Sequence, residues 1–118
     1  MMTRLVMLVL VALGGVFGNA LAQENGASVQ EGRRLAILIC ANCHVAAPNQ
    51  PNEPILRPPA PAFEAIAQRG TTSIESVEAF LKTTHRDISN PQGMPNPQLL
   101  DSQIKDVAAY ILSMRKGP

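Results

Sequence analysis

Cys40-Ala41-Asn42-Cys43-His44 holds the only two cysteines of the chain. Any fold must present two thiols three positions apart, with an imidazole directly after the second. That spacing suits covalent capture of haem c, each vinyl group taking one sulfur as a thioether. His44 would then lie under the macrocycle as the proximal iron ligand, and a single cysteine pair implies a single haem.

The compartment bears on this reading. Arg4 begins a positively charged leader, Leu5 to Phe17 is apolar apart from Gly14 and Gly15, and Ala20-Leu21-Ala22 is an A-x-A cleavage signal. The expected division is a secretory signal peptide over 1–22 and one small monohaem domain over 23–118. The apolar run is short for a spanning helix, which needs about 20 residues. An uncleaved anchor is the alternative, and no stable membrane anchor is expected after cleavage. In an oxidising compartment free thiols pair, and haem attachment removes Cys40 and Cys43 from that chemistry. A periplasmic location follows as an expectation.

Without Arg4 the basic residues equal the nine acidic ones. Near-zero charge with no basic patch gives no case for nucleic acid. Outside the leader only Phe63, Phe80 and Tyr110 are aromatic, and there is no Trp. So small a domain buries a modest share of its surface, and a large planar cofactor would supply the missing core volume.

The pattern is helical throughout. Ser28 can cap a first helix, with Glu31 in the capping-box position. That helix runs through Gly32 and Leu35 to Ile39 and delivers the cysteine pair. Pro48, Pro51, Pro54, Pro58, Pro59 and Pro61 forbid a helix through the next segment. Phe63 to Gln68 reads as a short helix stopped by Gly70 in the C′ role. Thr72 with Glu75 signals another helix start, with Ile74, Val77, Phe80 and Leu81 on one face. Arg86 to Pro97 is a breaker-rich loop containing Met94. Asp101 or Ser102 then caps a last helix, whose stripe is Ile104, Val107, Ala108 and Ile111. Lys116-Gly117-Pro118 ends it with positive charge and a breaker. No alternating run suggests a strand.

A low-spin iron in an electron carrier needs two strong axial ligands. A thioether favours ferrous iron and raises the reduction potential. Met94 is the candidate, because Pro91, Pro95 and Pro97 stiffen its loop and a preorganised loop holds a weak ligand at low entropic cost. Met114, near the end of the last helix, is assigned to packing. His85 is the rival sixth ligand, and its plainer role is a surface or propionate-facing imidazole. A ligating histidine usually gives its second ring N–H to a carbonyl, and the proline-rich loop offers several.

The chain resembles the class I c-type cytochromes. The likeness rests on the early Cys40 to His44 motif, the late Met94-Pro95 and the C-terminal segment Asp106 to Ile111. It covers nearly all of residues 23–118. It implies an all-α cytochrome c fold of about four helices around one covalent haem, with the first and last helices crossing. The family's glycine eight residues before the first cysteine corresponds to Gly32, its aromatic on the last helix to Tyr110 and the neighbouring aliphatic to Val107. Gly lets backbones approach closely because it lacks Cβ. Ala36 stands where the family often has an aromatic, so the crossing should be less filled. The family's proline carbonyl that takes the proximal histidine N–H is assigned to Pro61, in Pro61-Ala62-Phe63, with Pro54-Ile55-Leu56 as the alternative.

The resemblance implies a one-electron carrier rather than an enzyme. It would cycle between Fe(II) and Fe(III) and exchange electrons with a redox-protein donor and acceptor through small, transient interfaces. A monomer is expected. The alternatives keep the haem with a labile or bis-His sixth position, for gas binding or peroxide reduction, or discard it. A Cys40–Cys43 thiol oxidoreductase needs an exposed low-pKa thiolate at a helix N-terminus, whereas this pair ends an apolar helix. A zinc site of Cys40, Cys43, His44 and His85 would force an adjacent Cys and His onto one tetrahedral ion. A secreted helical domain with one disulfide is the remaining possibility.

Overall fold

The computed structural model describes residues 26–117, so the leader and its cleavage signal lie outside the described residues. Four α-helices follow in order: α1 (Val29–Leu35), α2 (Phe63–Ala67), α3 (Ile74–Leu81) and α4 (Asp101–Ser113). No β-strand forms among the described residues, and the only extended pairing is an isolated parallel bridge between His44 and Ala60.

Ser28 caps α1, its hydroxyl accepting the Glu31 N–H at 3.1 Å. The reciprocal half of the expected capping box is absent. The Glu31 carboxylate turns to Arg34, at 2.6 and 2.9 Å, and the Ser28 N–H donates instead to Asp106 of α4 at 2.6 Å. The helix then widens into a π-helical turn over Ala36–Cys40, closed by the Ala41 N–H on the Ala36 carbonyl at 3.0 Å. It therefore reaches the first cysteine, as the apolar pattern predicts, but not in α geometry. Single π turns of this kind are frequent at functional sites.

The crossing of α1 and α4 is as close as two backbones allow. A Cβ built on Gly32 would lie 1.9 Å from the Asp106 carbonyl oxygen and 2.8 Å from the Tyr110 Cβ. Ala36 is fully buried in the same core, so its missing aromatic leaves no exposed seam at this residue. Ile104, Val107, Ala108 and Ile111 are all buried, with Val107 completely enclosed. Burying a side chain of that size contributes about 2 kcal/mol. Met114 packs against this cluster from the end of α4.

Helix termini depart from the sequence reading in three places. Gly70 is not a left-handed C′ residue, since no described glycine has positive φ. The end of α2 is held by Arg115, which donates to the carbonyls of Ala67, Arg69 and Thr72. A guanidinium from the chain just beyond α4 thus does what a local glycine would have done. Ser73, not Thr72, caps α3, in a reciprocal box with Ser76 rather than Glu75. Thr72 is buried, and its hydroxyl donates to the Ile66 carbonyl at 2.8 Å, as a buried hydroxyl must find a partner. Leu100 is the N-cap of α4, in place of Asp101 or Ser102, and its N–H donates to the Gln103 side chain at 2.9 Å. On α3, Val77 and Leu81 face the core as expected, whereas Ile74 and Phe80 are 37% and 46% exposed.

Candidate functional site

The motif residues close on themselves. The N–H groups of Cys43 and His44 both donate to the Cys40 carbonyl, at 3.1 and 2.9 Å, forming a tight turn at the end of the π segment. The proline-rich segment then folds back alongside it. Ile55 donates to Asn42, Ala60 to Cys43 and Phe63 to Val45, at 2.8 to 3.0 Å. Gln50 organises the intervening loop by accepting from the Ala46 N–H at 2.7 Å and donating to the Asn52 carbonyl at 2.7 Å. No composition signal singles out this glutamine, because its partners are backbone groups brought together only by the fold.

This return places the Pro61 carbonyl 2.7 Å from His44 Nδ1. A carbonyl can only accept, so Nδ1 carries the proton and donates. The ring is thereby held in one orientation, and Nε2 is the nitrogen left without a partner among the described residues. His44 is 8% exposed and its ring centroid lies 5.3 Å from that of Phe63, which in turn lies 6.4 Å from Tyr110. Tyr110 completes the wall with an O–H bond of 2.9 Å to the Ala46 carbonyl. The histidine is thus braced through Phe63 by the tyrosine of the helix crossing.

Cys40, Cys43 and His44 line one side of a cavity of about 730 Å³. Phe63, Ile66, Val77, Leu81 and Ile111 supply apolar surface, and the loop Pro91–Pro95 supplies Met94. The structure therefore brings both cysteines, His44, Pro61 and Met94 to one cavity. His85 is not among the lining residues. Its ring stacks on Phe80, with centroids 3.7 Å apart and planes 12° apart, and its Nε2 lies 3.2 Å from the Phe80 carbonyl and 3.1 Å from the Thr83 hydroxyl.

The chemistry of the wall fits a haem. A planar apolar macrocycle needs an enclosed apolar slot, and large apolar pockets with a few convergent polar groups are where cofactors bind. Cys40 is buried, and that burial, with the neighbouring Cys43, pushes its thiol up to about 11. Such surroundings oppose the thiolate that disulfide exchange or zinc ligation requires and suit a neutral thioether. Among the described residues no three His, Cys, Asp or Glu side chains gather into a metal-holding group. No described helix is long and apolar enough to cross a membrane.

Comparison with known proteins agrees with this geometry. The family model described as Cytochrome c matches residues 29–115, which spans α1 to the end of α4 and includes every residue of the cavity wall. No curated protein and no solved structure matches the chain. The match covers well over half of the 118 residues. The all-helical fold, the crossing at Gly32 and the cysteine pair in an apolar cavity thus have one common explanation: the chain belongs to the cytochrome c family, whose haem c is covalently attached and serves electron transfer.

Proposed function

We propose that the protein is a periplasmic one-electron carrier whose iron has His44 and Met94 as axial ligands. The observation that carries this reading is the placement of His44 and Met94 on the wall of one cavity, with Cys40 and Cys43 beside the histidine. Haem c, when bound, supplies the Fe(II)/Fe(III) couple. The residues of the chain do the rest. Cys40 and Cys43 would hold the macrocycle as thioethers. Pro61 holds the Nδ1–H of His44 and so presents Nε2 to the cavity. Met94 would offer a soft neutral donor, which favours the ferrous state.

The stacking of His85 on Phe80 favours Met94 over the histidine as second ligand, since His85 lies behind Phe80 and does not itself line the cavity. Export rests on the leader features at 1–22, and the donor and acceptor would be redox proteins meeting the carrier in brief encounters.

Expression with a haem-attachment system tests this. The purified protein should carry one covalently bound haem by mass, lack residues 1–22 and sit in the periplasmic fraction. Cys40→Ala with Cys43→Ala should abolish attachment. Met94→Ala should lose the sulfur-to-iron charge-transfer band of the ferric protein, while Met114→Ala and His85→Ala keep it. Protein without covalent haem, or a band that survives Met94→Ala, overturns the proposal.

A further inference from the structure

Met94 sits on a 12-residue loop, Arg86 to Pro97, whose own side chains are mostly exposed. Prolines stiffen such a loop, but stiffness alone does not say where its middle is held. The hydrogen bonds around Met94 do. The His85 N–H donates to the Met94 carbonyl at 2.8 Å. The Asn90 side chain donates to the His85 carbonyl at 2.9 Å. Two residues beyond Met94, the Asn96 side chain donates to the Lys82 carbonyl at 3.1 Å. Lys82 is the C-cap of α3 and His85 lies three residues beyond it, so the loop on both sides of Met94 is tied to the end of α3 and the chain leaving it. That helix is itself anchored in the core by Val77 and Leu81.

Two further features lock the tie. A Cβ on Gly93 would lie 1.8 Å from the His85 carbonyl oxygen and 2.6 Å from Asn90 Nδ2, so the loop backbone lies directly on His85. The His85 ring is held by its stack on Phe80, with Nε2 beside the Phe80 carbonyl and the Thr83 hydroxyl. The turn between Asp87 and Asn90 closes the loop's outer arm. Each backbone N–H of that pair donates to the other's carbonyl at 3.2 Å, and Gly93 then donates to Asn90 at 3.0 Å.

The geometry points to His85, Asn90 and Asn96 as positioning residues for Met94, clamping the ligand loop to the C-terminal end of α3 so that the sulfur stays at the cavity wall. This rests on the reading of Met94 as an iron ligand. Histidine here acts through its backbone and its stacked ring rather than as a donor to iron. The clamp sets the fraction of molecules whose sixth position is open to an outside ligand, because a competitor binds only the opened form and its apparent affinity scales with that fraction. Losing one hydrogen bond should raise the open fraction about fivefold.

The test uses the haem-loaded mature protein, and imidazole is the competing probe. Asn90→Ala and Asn96→Ala should each bind imidazole to the ferric form about fivefold more tightly than the unmutated protein, and the double variant more tightly still. His85→Ala should do so too, by unpinning the ring. Gln68→Ala, which removes a hydrogen bond to Met114 remote from the loop, should lower the melting temperature without changing imidazole affinity. Imidazole affinities unchanged in all three clamp variants overturn the clamp, provided Met94→Ala binds imidazole much more tightly than the unmutated protein. If Met94→Ala itself changes neither imidazole affinity nor the ferric spectrum, the ligand reading fails, and the clamp fails with it.

Discussion

Gly32 shows how much of this fold turns on single atoms. Its absent Cβ would fall 1.9 Å from a backbone carbonyl of α4, which cannot move aside as a flexible side chain could. Gly32→Ala must therefore push α1 off α4. It should lower unfolding stability by at least about 2 kcal/mol, measured as a shift of the denaturant midpoint, and an unchanged midpoint would contradict the crossing. Tyr110→Phe probes the other side of the same contact. It leaves the Ala46 carbonyl without its buried donor and should cost about 1–2 kcal/mol. Both residues are legible through the resemblance to the c-type cytochromes, which pairs a glycine eight positions before the first cysteine with an aromatic on the last helix. The bond from the Ser28 N–H to Asp106 is not, since the sequence offers Glu31 as a local partner. Only the crossing reveals that a carboxylate 78 residues away is nearer.

At the scale of elements, apolar periodicity reads correctly where a helix is long enough to average over. The stripe of α4 is buried at every expected position. Termini read less well, because the groups that satisfy them come from elsewhere. Arg115 stands in for Gly70, and the Ser73–Ser76 pair displaces Thr72 and Glu75 once burial claims the threonine hydroxyl. The loop before Met94 carries an acid-sensitive turn. The Asp87 carboxyl is held below the usual carboxylate range, first by the Ser89 hydroxyl and then by the N–H groups of Asn90 and Ser89. A depressed folded-state value means the turn's contribution is present above the unfolded value, about 3.9. It is lost as pH falls through the lower folded value. The Ser89 and Asn90 amide resonances should titrate together below about pH 4, and Asp87→Asn should remove that titration. Amide shifts that are flat across this range would contradict the turn.

For the molecule as a whole, α2, α3, α4, the cysteine motif and the proline-rich and Met94 loops line an apolar slot that the chain's own three aromatics outside the leader do not fill. The cysteine pair announces the cofactor and the family match spans the whole cavity wall. The proline-braced loop already singles out Met94 over His85 in the sequence. What the sequence does not carry is the placement of the rival, whose imidazole stacks on Phe80 while Met94 lines the cavity beside His44. If the protein is a one-electron carrier tuned by a methionine sulfur, a potentiometric titration of the haem-loaded protein should give a single reversible one-electron transition that moves to lower potential in Met94→His. A transition that does not follow one-electron behaviour, or a potential indifferent to that substitution, would contradict it.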